Sequence, residues 1–97
     1  MVRLLLTVAL FLNLALAGEQ LAREKGCTAC HDTKAKKVGP TYVDIAKKYK
    51  GRADAVSYLV EKTIKGSAGV WGNIPMPPQN ISETEAKQIV QWILSLN

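Results

Sequence analysis

Cys27-Thr28-Ala29-Cys30-His31 gather the only two cysteines and the only histidine of the chain into five consecutive residues. A C-x-x-C-H string is the attachment site of c-type haem. Each thiol can add to one haem vinyl group as a thioether, and side chains three positions apart face one side of a helical turn. The histidine that follows can then reach the iron from beneath the ring. The spacing offers two covalent tethers and one axial ligand at once. Other dithiol chemistries find less support. A disulfide across two intervening residues constrains the unfolded chain little. A thioredoxin-like pair needs a βαβ setting, and no convincing strand is present. A structural zinc site takes four ligands, usually from two separated pairs, and there is no second Cys/His pair.

Met76 supplies a second metal-binding atom. It is one of two methionines, the other being Met1. It lies in Ile74-Pro75-Met76-Pro77-Pro78, where prolines on both sides fix φ and push the preceding residues towards extended backbone. A lone methionine is ordinarily core filler, but core methionines sit in helices or strands rather than between prolines in a loop. His/Met ligation is a known haem arrangement that raises the reduction potential, so Met76 is expected as the sixth ligand.

The N-terminus reads as a secretory leader. Arg3 precedes an uncharged run from Leu4 to Leu16, and Ala15-Leu16-Ala17 is a small-x-small cleavage pattern. The apolar run is shorter than the ~20 residues a spanning helix needs, which argues against an uncleaved anchor. Residues 1–17 are therefore expected to be removed, leaving 18–97 as one domain in the periplasm. Thioether formation takes place on that oxidising side of a bacterial membrane. So small a domain rarely builds a sufficient core unaided, and a covalent haem would be its staple. The charged fraction of 22% is that of an ordinary globular chain, and no repeat or low-complexity segment interrupts it.

Helical periodicity positions these groups. A first short helix is expected from about residue 19 to 25, stopped by Gly26, with Leu21 and Ala22 inward. Thr41 after Pro40 reads as an N-cap, with Asp44 in the first turn. Tyr42, Ile45, Ala46 and Tyr49 keep an i, i+3, i+4, i+7 stripe up to Gly51. A third helix is expected over 54–65, with Val56, Leu59, Val60, Thr63 and Ile64 on one face and Gly66 closing it. Ser82-Glu83-Thr84-Glu85 is a capping box. Behind it Ala86, Ile89, Val90 and Ile93 form a buried stripe, and Glu83 and Lys87 are spaced as an i, i+4 pair. The fold class is all-α. Residues 66–81 make a loop long enough to be functional, able to wrap the far side of a haem and bring Met76 there.

With Val38-Gly39-Pro40, the segment Gly69-Val70-Trp71-Gly72-Asn73-Ile74-Pro75-Met76-Pro77-Pro78 and the closing Ile89-Val90-Gln91-Trp92-Ile93-Leu94, the chain resembles the small class I bacterial cytochromes c of the c-552 type. The resemblance covers residues 18–97 and implies four to five short helices wrapped around one haem. It implies that the Pro40 carbonyl accepts the Nδ1–H of His31, and that Trp71 donates its indole N–H to a haem propionate with Lys62 nearby. It also implies that an amide after the methionine touches its sulfur, a place held here by Gln79 with Asn80 following. Plain packing of Trp71 and a solvated Lys62 remain the simpler alternatives.

The expected function is a soluble one-electron carrier. With both axial positions filled by His31 and Met76, substrate has no route to the iron, and no second histidine is left for acid–base work. The alternative is a five-coordinate haem enzyme or gas sensor with Met76 merely structural, but four-helix cytochromes of that kind carry the motif near the C-terminus. A disulfide reductase would use the same two cysteines without haem. Formal net charge is +5, and Lys34, Lys36, Lys37, Lys47, Lys48, Lys50 and Arg52 cluster after the haem motif. Such a face suits an acidic redox partner or serves solubility alone. Expected partners are a quinol-oxidising complex as donor and a nitrite reductase or terminal oxidase as acceptor. Nucleic acid and stable membrane insertion are not expected, and the protein should be a monomer.

Overall fold

The computed structural model describes residues 17–96, and every regular element among them is helical. Residues 17–24 form α1, followed by a 3-10 turn over Cys27–Ala29. Three further helices follow, α2 (Tyr42–Tyr49), α3 (Ala55–Lys65) and α4 (Glu83–Leu94). The one β-type pairing among the described residues is an isolated bridge between Ser67 and Met76. The all-α expectation holds. The leader read at residues 1–17 lies outside the described residues except for Ala17. No described helix is long and apolar enough to cross a membrane.

Local sequence signals set most of these elements. α1 covers 17–24 rather than 19–25, and Gly26 stops it with φ +80°, a left-handed backbone that glycine adopts without strain. The Thr41 hydroxyl accepts the Asp44 N–H at 3.0 Å, opening α2. Asp44 near that end and Lys47 and Lys48 near the other suit the helix dipole. Asp54 stands at the N-cap of α3 but makes no cap, because its carboxylate is taken by the Arg52 guanidinium. At α4 both halves of the capping box form: Glu85 N–H donates to Ser82 Oγ and Ser82 N–H to Glu85 Oε1.

Packing follows the stripes with informative exceptions. Tyr42, Ile45, Ala46 and Tyr49 of α2 are buried, as are Ala86, Ile89, Val90 and Ile93 of α4. Trp92 joins them, because its flank of α4 meets α1 and α2. On α3 only Ala55 and Val60 are buried. Leu59 and Thr63 stay partly open because they face the cleft described below. No ion pair joins Glu83 to Lys87 among the described residues. Glu85 instead meets Lys25 of the α1–turn junction at 3.2 Å, a contact between segments far apart in sequence. α1 lies close against α4 at Gly18, where an added Cβ would come within 2.5 Å of Trp92 Cβ and 2.7 Å of the Gln88 carbonyl. Glycine is what lets the two helices approach there.

Glu85 gives this arrangement a pH dependence. The Ser82 N–H, then Lys25, hold its carboxyl below the usual carboxylate range. A carboxyl depressed in the folded state contributes stability that is fully present above its unfolded pKa, ~4.3, and is lost as pH falls through the lower folded value. Glu85→Gln should therefore flatten the acid side of the melting-temperature profile of the haem-loaded protein. Superimposable slopes for the two proteins would show that Glu85 contributes nothing there.

Candidate haem-binding site

The 3-10 turn places both cysteines and leads directly into His31, whose N–H donates to the Cys27 carbonyl at 2.9 Å. Cys27 is half-buried, Cys30 is exposed, and no disulfide joins them. Burial pushes the Cys27 thiol up, with Cys30 acting in the same direction. A thiol kept neutral is a poor exchange nucleophile and a poor thiolate ligand. Lys37 Nζ donates to the Thr28 carbonyl at 3.0 Å and pins the middle of the motif.

His31 is held on several sides. Its Nδ1 lies 2.7 Å from the Pro40 carbonyl oxygen. A carbonyl only accepts, so Nδ1 carries a proton, and of the two neutral tautomers this is the one that leaves the Nε2 lone pair free to bind a metal. Gly39 N–H donates to the Cys30 carbonyl at 2.8 Å, folding 39–40 back over the motif. A Cβ on Gly39 would stand 2.5 Å from His31 Cε1 and 2.8 Å from Nδ1, so the backbone itself touches the ring. The Tyr42 ring stacks on the imidazole, with centroids 5.7 Å apart and planes at 28°. Tyr42 is buried, burial pushes its phenol up, and its hydroxyl has no hydrogen-bond partner among the described residues.

Met76 comes from the loop after α3. Ser67 N–H donates to the Met76 carbonyl at 3.0 Å and Met76 N–H to the Ser67 carbonyl at 2.7 Å. Gly66, at φ +83°, makes this approach possible: a Cβ there would lie 2.7 Å from the Met76 carbonyl oxygen. Three residues on, Gln79 N–H donates to the Thr63 carbonyl of α3 at 3.0 Å. The segment bearing Met76 is thus tied down on either side of it, and the loop is ordered at its base rather than irregular throughout.

These segments enclose one cleft of about 350 Å³. All eight site residues of the sequence analysis line it: Cys27, Cys30, His31, Pro40, Lys62, Trp71, Met76 and Gln79. Ile45 of α2, Leu59 of α3 and Ile89, Val90 and Ile93 of α4 supply apolar wall. Mostly apolar walls with a few convergent polar groups are what cofactor sites require. Trp71 is 43% exposed at the rim, with Lys48 Nζ 4.9 Å from its ring centroid. Lys62 Nζ lies 5.4 Å from the Tyr58 ring. The Gln79 side-chain amide donates to the Pro77 carbonyl at 2.8 Å, while Asn80 is exposed and outside the lining. No group of three or more His, Cys, Asp or Glu side chains among the described residues can hold a metal ion, which leaves the zinc alternative without ligands. The donor set and the apolar walls fit a haem. Sequence reasoning took Tyr42 only as a core residue and Gly39 only as part of a motif. The one available signal was their position between the histidine and α2.

The chain matches the cytochrome c family model over residues 15–97. It is 61% identical to cytochrome c-552 of Hydrogenobacter thermophilus over 93 residues, 96% of this chain and 95% of that protein. It is 48% identical to cytochrome c-551 of Pseudomonas aeruginosa over 77 residues, 79% of this chain and 74% of that one. Its structure is similar to the crystal structure of wild-type Nitrosomonas europaea cytochrome c552, with a TM-score of 0.79 at 49% identity over 81% of this chain and 99% of that one.

The contact at Gly39 yields a direct test. Gly39→Ala should drive the imidazole away from the Pro40 carbonyl, because backbone and ring cannot both stay in place around the new methyl group. The His31 Nδ1 proton should exchange at least tenfold faster than in the parent by NMR. An unchanged exchange rate would mean that the 39–40 loop, and not the ring, absorbs the methyl.

Proposed function

The chain belongs to the cytochrome c family and carries one covalent c-type haem, and from there we propose a periplasmic electron carrier whose axial ligands are His31 and Met76. When bound, the haem supplies a one-electron Fe(III)/Fe(II) couple. The observation that carries the reading is that His31, held through Nδ1 by Pro40, and Met76, anchored through its backbone on either side, line the same cleft. Cys27 and Cys30 tether the group through thioethers. Pro40 keeps His31 in its metal-binding tautomer. Trp71 and Lys62, both lining the cleft, serve its acid groups through the indole N–H and the ammonium, and Gln79 serves the Met76 sulfur.

Two protein ligands exclude substrate from the metal, and the chain's only histidine is used as one of them. This favours electron transfer over the alternative of an open-site enzyme or gas sensor. Val38, Val70 and Ile74 are exposed at the cleft and offer it apolar surface. Lysines 36, 37 and 62 line the same cleft and suit acidic redox partners, a quinol-oxidising complex on the donor side and a nitrite reductase or terminal oxidase on the acceptor side. Charge steering of this kind is salt-sensitive, so the rate with an acidic partner should fall steeply with ionic strength. A flat salt profile would remove the steering role.

Ligation and processing are tested separately. Met76→Leu keeps most of the side-chain volume but removes the sulfur. It should abolish the weak sulfur-to-iron absorption band of the oxidised protein, lower the midpoint potential and admit carbon monoxide rapidly. Retention of the band and the potential would mean that another group holds the sixth position. Intact mass of the exported protein should correspond to residues 18–97 plus one haem that resists acid–acetone extraction. A mass that includes residues 1–17 would rule out cleavage after Ala17.

A further inference from the structure

We propose that Tyr42 is a positioning residue for the proximal ligand: its ring, braced by Trp92 of α4, sets the plane of the His31 imidazole. This rests on His31 being the axial ligand. A hydrogen bond from Nδ1 tolerates a broad range of approach directions at a carbonyl, so the Pro40 contact anchors one atom and leaves the ring free to rock about it. Planes are set by surfaces. Gly39 closes the Nδ1–Cε1 edge of the imidazole, and Tyr42 lies against its face at 28° with centroids 5.7 Å apart, inside the range of favourable aromatic contact.

Tyr42 is itself unable to give way. It is 2% exposed, it is the first residue of α2, and its N–H donates to the Asp32 carbonyl at 2.9 Å, one residue from His31. Its ring meets Trp92 edge-on, with centroids 5.0 Å apart and planes at 67°, and Trp92 is 8% exposed within α4. Three rings therefore run in contact from the last helix through α2 to the ligand. The hydroxyl is buried with no hydrogen-bond partner among the described residues. The aromatic surface does the positioning.

The plane matters because imidazole π-orbitals overlap the iron d-orbitals directionally. Rotating the ring relative to the haem changes which d-orbital holds the unpaired electron in the oxidised state, and outer groups that orient a ligand tune the metal. The order and spread of the four haem-methyl resonances in paramagnetic NMR of the oxidised protein read the combined orientation of the two axial ligands, and the hyperfine-shifted His31 ring protons assign a change to the imidazole.

In the haem-loaded protein, Tyr42→Phe should reproduce the parent methyl pattern, because it keeps the ring and discards only the idle hydroxyl. Tyr42→Leu should change the order or compress the spread of the four methyl signals, with a parallel shift in the largest g-value by EPR. Trp92→Leu should move both in the same direction and by less. Val60→Ala, a core truncation at a buried residue that does not itself line the cleft and touches none of the three rings, should lower the melting temperature and leave both signatures in place. A parent-like pattern in Tyr42→Leu overturns the proposal, and so does an equal change in Val60→Ala, which would mark general loosening. A changed pattern in Tyr42→Phe assigns the effect to the hydroxyl and also overturns it. If Tyr42→Leu does not accumulate, Trp92→Leu decides alone. The axial-ligand reading fails differently: the parent protein would then lack hyperfine-shifted His31 ring protons altogether.

Discussion

The hydrogen bond between His31 Nδ1 and the Pro40 carbonyl, 2.7 Å long, is the contact on which the site depends. It leaves only one tautomer available and so keeps Nε2 free to bind a metal. It also requires residues 39 and 40 to return over the haem motif, which the Gly39–Cys30 backbone bond secures. The same return delivers Thr41 as the cap of α2, so the start of that helix and the orientation of the imidazole come from one turn of chain. Any change that moves the turn moves both.

On the opposite side the fold uses backbone pairing rather than packing. Ser67 and Met76 exchange two hydrogen bonds, and Gly66 admits the approach because a side chain there would strike the Met76 carbonyl. The loop they close holds Val70, Trp71 and Ile74, which the protein alone leaves exposed. Large apolar side chains are seldom left open without a partner in so small a domain. Here they stand around the cleft with the partly open face of α3, so the cofactor supplies the missing half of the core and is as much a folding element as a redox centre.

Legibility in the sequence tracked the range of the interaction. The Thr41 cap and the Ser82–Glu85 box join residues three positions apart, and both formed as read. The C-x-x-C-H motif and the proline-flanked methionine carried their chemistry in residue type and spacing, and the eight residues singled out share one cleft. What the sequence hid was contact between distant segments. Glu85 pairs with Lys25 while Glu83 and Lys87 stay apart, since an exposed pair gains little over solvation. Asp54 marks a helix start without capping it because Arg52, two residues earlier, takes its carboxylate. Tyr42 reads as one more residue of an apolar stripe, and only the return at Gly39 puts it beside His31.

Gly18 and Trp92 meet where α1 crosses α4, which joins the order of synthesis to the order of assembly. In a chain exported N-terminus first, as proposed above, the segment bearing both cysteines crosses the membrane before the surface its helix will rest upon. Until α4 has followed, the thiols ride on a chain whose closing contact does not yet exist, accessible on the far side to whatever machinery joins them to haem. The helix crossing then acts as a latch that shuts behind the cofactor, and a mutation that speeds its closure without haem would trap the chain empty.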